Sequence, residues 1–88
     1  MLAQIEKLKP DGASDTPLYL QLVNRLSEQI NGGVWQPDEA LPSERILAES
    51  LEISRVTARK AIDVLCERGM LIRKRGSGTY ITPKLEQP

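Results

Sequence analysis

Residues 43–82 read SERILAESLEISRVTARKAIDVLCERGMLIRKRGSGTYIT, and this stretch decides the fold. Ser43, just after Pro42, is a helix cap, and residues 44–51 form a short helix with Ile46, Leu47 and Leu51 inward. Glu52-Ile53 is a turn. Ser54 caps a second helix over residues 55–68, where Ala58, Ala61, Ile62 and Leu65 fall at i, i+3, i+4 and i+7. Gly69 stops it. The period then changes. Residues 71–74 and 79–82 are strand-like, separated by Arg75-Gly76-Ser77-Gly78, a hairpin loop.

Upstream, Thr16-Pro17 reads as a cap followed by proline at the first helical position. Leu18, Tyr19, Leu22, Val23, Leu26 and Ile30 then span an arc of about 140°, a broad apolar stripe. Gly32-Gly33 ends this helix, and Leu20 falls off its stripe. In the connector 34–42, Trp35 plugs the core edge and Ala40-Leu41 is a possible short strand. Residues 1–15, with Pro10 and Asp11-Gly12, read as a flexible N-terminal arm, and residues 83–88 as a linker. The expected domain is therefore 16–82. Its class is mostly α with a small β-hairpin (α+β): a winged helix-turn-helix of three helices and a two- or three-stranded antiparallel wing.

Composition excludes several functions. The 88 residues contain no histidine and one cysteine, Cys66, so no internal disulfide, no ordinary zinc pattern and no histidine-based triad is expected. No paired acids with a base and no cofactor loop stand out; the chain is not read as an enzyme, and no cofactor, metal or catalytic residue is expected. No 18-residue apolar run exists and residues 1–15 lack an apolar signal core, so neither a membrane span nor a secretory signal is expected. The expected compartment is the cytoplasm.

Net charge is zero, yet residues 53–75 hold seven basic and two acidic residues, and the remainder is correspondingly acidic. A localised basic stripe matters more than the total. The 55–68 helix places Arg55, Thr57, Arg59 and Lys60 early and Asp63 and Glu67 late, against the preference of its dipole. An anion at its N-terminus accounts for this order, the alternative being a plain solvated charged face. Val56 lies about 170° from the apolar stripe, where it can serve a thymine methyl group or be a plain surface valine. Arg73, Lys74 and Arg75 flank Gly76-Ser77-Gly78 and Thr79, a loop able to approach a phosphate or a narrow groove.

From Thr16 to Thr82 the chain resembles the N-terminal domain of the GntR family of bacterial transcription regulators, most closely its HutC-like branch. The resemblance rests on PLYLQL, LPSER, SRVTARKAI, the leucine-plus-glycine helix end and RGSGTY at their spacings. It implies a sequence-specific regulator, usually a repressor, binding a near-palindromic double-stranded DNA operator as a homodimer. It further implies that Arg45 contacts phosphate or base, that Ser54, Arg55, Thr57 and Arg59 read the major groove, and that Gly76 with Arg75 enters the minor groove. The expected interface is thus Ser43, Arg45, Ser54, Arg55, Val56, Thr57, Arg59, Lys60, Arg73, Lys74, Arg75, Gly76, Ser77, Gly78 and Thr79. Family members carry a larger C-terminal domain for a small-molecule effector, so effector binding is expected only outside residues 1–88.

Two positions depart from the family pattern. Glu52 stands where the turn usually has glycine, and Pro37-Asp38 where Pro-Gly is usual. If left-handed, Glu52 costs about 1 kcal/mol. A winged-helix protein–protein module is the alternative reading, but it predicts an exposed apolar third helix, and this one is basic. An RNA or nonspecific nucleic-acid binder would use stacking aromatics, which are only 3% of the chain.

Overall fold

The computed structural model describes residues 5–13 and 15–82. Its elements are α1 (Leu18–Asn31), β1 (Ala40–Leu41), α2 (Glu44–Leu51), α3 (Arg55–Glu67), β2 (Leu71–Lys74) and β3 (Gly78–Ile81). The sheet is antiparallel in the order β1-β3-β2, with Ala40 opposite Tyr80 and Lys74 opposite Gly78. The expected class and the optional third strand are both realised. Gly78 belongs to β3 and Thr82 lies outside it, a one-residue shift from the expected strand.

The core forms around α3. Ala58, Ala61, Ile62 and Leu65 are buried, and α3 packs on α1, α2 and β2. Leu22, Val23 and Leu26 come from α1, Leu47 and Leu51 from α2, and Leu41, Leu71 and Ile81 from the sheet. Trp35 closes the edge and donates its Nε1–H to Gln29 Oε1 at 2.8 Å. Ile46, expected inward, is 46% exposed; Ala48 takes its place in the core. At 100° per residue, Leu47, Ala48 and Leu51 share one face and Ile46 lies off it, and the small alanine lets α3 come close. Pro17 sits at the N-cap rather than inside the helix, and no side chain caps α1.

The segment expected to be a free arm packs instead, at Ile5 and Leu8. Both side chains are fully buried in the core. Gln21, a buried polar residue of α1, holds the chain after them: its amide nitrogen donates to the carbonyls of Asp11 (3.0 Å) and Thr16 (2.8 Å), and its Oε1 accepts from Asp11 N–H at 2.7 Å. Residues 1–4 and 14 of the expected arm, and the expected linker 83–88, lie outside the described residues. Leu20 is half-buried against the core.

The ends of α1, α2 and α3 share one long-reach hydrogen bond, from the residue after the turn back to the carbonyl five residues before it. Val34, Ile53 and Met70 N–H donate to the carbonyls of Gln29, Ala48 and Leu65 at 2.9, 3.0 and 2.9 Å. The turn needs a left-handed residue. Gly33 (φ 82°) and Gly69 (φ 80°) supply it in two helices, and Glu52 (φ 58°) in the third. Asp38 (φ 67°) is the other non-glycine residue with positive φ among those described. The two departures from the family pattern therefore fall on the two strained positions.

Two outcomes follow. Glu52→Gly removes a left-handed penalty of about 1 kcal/mol. It also removes the exposed Lys9–Glu52 ion pair (3.3 Å), a contact of about 0–1 kcal/mol. The urea midpoint should stay level or rise, whereas Glu52→Ala, which keeps the strain, should lower it; a lower midpoint for the glycine variant refutes the strain argument. Gln21→Ala strands partly buried backbone groups and should cost about 1–3 kcal/mol in the same titration, and Leu8→Ala about 2–5 kcal/mol. Losses within about 0.5 kcal/mol for both would show that residues 5–13 do not belong to the cooperative unit.

Candidate nucleic-acid interface

Two serine caps aim the starts of α2 and α3. Ser43 Oγ accepts from Ile46 N–H at 3.2 Å, and Ser54 Oγ from Thr57 N–H at 3.0 Å. The Ser54 and Thr57 hydroxyls also share a hydrogen bond at 2.8 Å. The backbone amides at these helix starts carry partial positive charge. No acidic residue occupies the first turn of α3.

Beside these starts lies the tip of the β2–β3 hairpin. Its loop turns at Gly76 (φ 77°), with Ser77 N–H donating to Lys74 C=O at 2.9 Å. The loop and the two helix starts flank an open cleft of about 740 Å³, lined by Ser43, Glu44 and Arg45 from the start of α2, by Arg55 from α3, by residues 73–79 of the hairpin and by Leu41 of β1. The sequence-predicted residues Ser43, Arg45, Arg55, Arg73, Lys74, Arg75, Gly76, Ser77, Gly78 and Thr79 thus converge on one cleft. Ser54, Val56, Thr57, Arg59 and Lys60 do not line it. Val56 is 75% exposed, the most exposed of the large apolar side chains described.

The basic side chains are not equivalent. Lys60 Nζ lies 4.4 Å from the Tyr19 ring centre on α1, and Lys74 Nζ lies 4.7 Å from that of Tyr80. Arg45 pairs with Glu49 at 3.6 Å, one helical turn on. Arg59 Nε donates to Glu44 Oε1 at 3.2 Å. Arg73 Nη2 reaches Asp63 Oδ1 at 2.6 Å and Glu44 Oε2 at 3.6 Å. The hydrogen bond to Asp63 holds the Arg73 guanidinium above its ordinary pKa. Arg55 and Arg75 have no ion pair or ring contact among the described residues.

Sequence reading missed three participants: Glu44, Tyr19 and Tyr80. Glu44 looked like an ordinary acid in a first helical turn, and nothing along the chain signals that Arg59 and Arg73 meet there. Asp63, set late in α3, has its partner in Arg73 of β2. Burial pushes the Cys66 thiol up, with Arg73 opposing, which suits a packing residue rather than a nucleophile. No group of three or more potential metal-ligating side chains occurs among the described residues. No helix described is long and apolar enough to cross a membrane.

Comparison with known proteins places this geometry in context. The family model for bacterial regulatory proteins of the gntR family matches residues 18–81. The transcriptional repressor NagR of Bacillus subtilis (strain 168) is 47% identical over 75 residues, which is 84% of this chain and 31% of that protein. The histidine utilization repressor of Klebsiella aerogenes is 35% identical over 69 residues, 78% of this chain and 29% of that protein. Among solved structures, the AraR DNA-binding domain in complex with operator ORX1 superposes with a TM-score of 0.74 at 35% identity, covering 83% of this chain and 90% of that one. The chain spans about a third of the length of these curated relatives. The family model covers most of the chain and a named relative is 47% identical over 84% of it, and the chain belongs to the gntR family of bacterial regulatory proteins.

Proposed function

We infer that this chain is the DNA-reading module of a transcription repressor, binding a near-palindromic double-stranded operator as a homodimer. In this reading α3 lies in the major groove and residues 73–79 meet the minor groove. The observation that carries it is the joint position of the unpaired Arg55 and Arg75: one sits at the start of α3, the other at the wing tip, and both line one cleft. Arginine is the side chain suited to paired donation onto guanine O6 and N7, and to insertion in a narrow groove. Exposed Val56 next to Arg55 suits a thymine methyl contact. The likeness to an AraR domain solved with operator DNA supports duplex DNA as the partner.

One short helix and one wing reach only a few base pairs, so a usable site needs two half-sites. The repressor role rests on the names of the relatives, and a small-molecule effector would act through the portion of such proteins outside this span. A cytoplasmic location follows from work on DNA. The basic cleft is open and polar, unlike a small-molecule pocket.

Selection of random duplex DNA with the purified chain should enrich a two-fold symmetric motif; enrichment of none defeats the reading. On the enriched duplex, Arg55→Ala should cost about 1–3 kcal/mol and relax base preference at one position per half-site. Arg75→Ala should weaken every duplex and reduce the log–log salt slope by about 1 per bound copy. Uniform weakening by Arg55→Ala across all sequences would reduce it to a phosphate clamp. Sedimentation should show a monomer alone and two copies on the palindromic duplex; a stable dimer without DNA contradicts assembly on the operator.

A further inference from the structure

We propose that Glu44 is the specificity-positioning residue of this interface, fixing Arg59 for base contact while withdrawing Arg73 from phosphate. The inference rests on the DNA-binding reading above and deepens it. A carboxylate at the mouth of a polyanion site has the wrong sign for affinity, and Glu44 lines the cleft with its side chain only 24% exposed. Its two oxygens serve two arginines from two different elements. Oε1 accepts from Arg59 Nε on α3, and Oε2 faces Arg73 Nη2 on β2.

The consequences for the two arginines differ. An arginine held at Nε keeps its Nη1–Nη2 edge, the pair of donors that matches guanine O6 and N7. Arg59 remains 63% exposed in this hold, so that edge is open to solvent. It is restrained before DNA arrives, and less rotamer freedom is lost on binding. Arg73 is clamped between Glu44 and Asp63 and joins the wing to both helices. A clamped guanidinium releases fewer counterions on DNA, so nonspecific affinity falls. Glu44 therefore raises the ratio of specific to nonspecific binding by lowering its denominator and by aiming its numerator.

The test measures binding of the 88-residue chain to its enriched duplex and to a random duplex of equal length across a salt series. Glu44→Ala should raise random-duplex affinity, steepen the salt slope by up to about 2 units per bound copy, and cut the specificity ratio about tenfold. Glu44→Gln keeps an acceptor for Arg59 Nε but no charge; it should steepen the slope yet lose less of the ratio. In an Arg59→Ala background, Glu44→Ala should still steepen the slope through Arg73 but should lose less of the ratio than in the wild-type background. A ratio within about twofold of wild type in Glu44→Ala overturns the inference, as does equal weakening on both duplexes with an unchanged slope, the signature of a merely structural role. Circular dichroism checks folding; should the alanine variant unfold, an unchanged slope and ratio in Glu44→Gln overturn it alone. A wild-type chain with no sequence preference sinks the DNA-readout reading instead, so the two failures are told apart.

Discussion

The close approach of α3 to its neighbours is the constraint on which everything else depends. Ala58 and Ala61 are fully buried at the crossing, and Ala48 of α2 is nearly so. A larger side chain at any of them would force the helices apart, because cores packed at crystal density do not absorb extra methylene groups without shifting backbone. That separation would move the start of α3 away from the start of α2 and from the hairpin that β2 carries. The cleft exists only because those three parts sit together. The small residues thus determine a functional geometry they never touch.

Backbone strain is spent at the same place. The turn that reverses α2 into α3 shares the long-reach bond of the other two helix ends, but Glu52 occupies the left-handed position that glycine fills in them, and Ala48 C=O accepts from both Glu52 and Ile53 N–H. The side chain is not idle, since Glu52 reaches Lys9. This contact joins the segment after buried Leu8 to the turn beside α3. Because both partners are exposed, the pair offsets only part of the conformational cost. Asp38 has the same left-handed backbone, and its N–H still donates to Ile81 C=O at 2.9 Å, tying the connector to β3.

Much of this was legible in the sequence, for reasons that also explain what was not. The helices and the hairpin follow from periodicity, serine caps and glycine stops, all local signals. Ile5 and Leu8 escaped because two apolar residues in a short polar stretch have no period; only the hydrophobic face they cover reveals them. Gln21 escaped because its partners are backbone groups of Asp11 and Thr16, and no sequence pattern encodes a side chain that replaces a backbone ladder. Ile46 was misplaced because an eight-residue helix offers two flanking candidates for its buried face; Ala48, legible as one of the small residues that let the helices cross closely, takes the buried side. At the cleft, residue identities were legible but pairings were not, since Glu44, Arg59 and Arg73 stand on three different elements.

Those pairings change what the charge count means. Read along the chain, residues 53–75 carry a large positive excess. In the fold, Asp63 and Glu44 reclaim part of it, and tyrosine rings hold two of the lysines. Surface ion pairs of this kind contribute about 0–1 kcal/mol each to stability, too little to account for such an arrangement by folding alone. Their larger effect is on the field the cleft presents. A protein with every cation free binds any duplex strongly and is titrated away by the excess of nonspecific sites. In the proposed reading, pairing most of these cations weakens the hold of a single copy on nonspecific DNA, which shifts affinity toward base contacts and a second copy on the other half-site. The neutral total of the chain and the selective pairing inside the cleft favour the same outcome: discrimination at the expense of raw affinity.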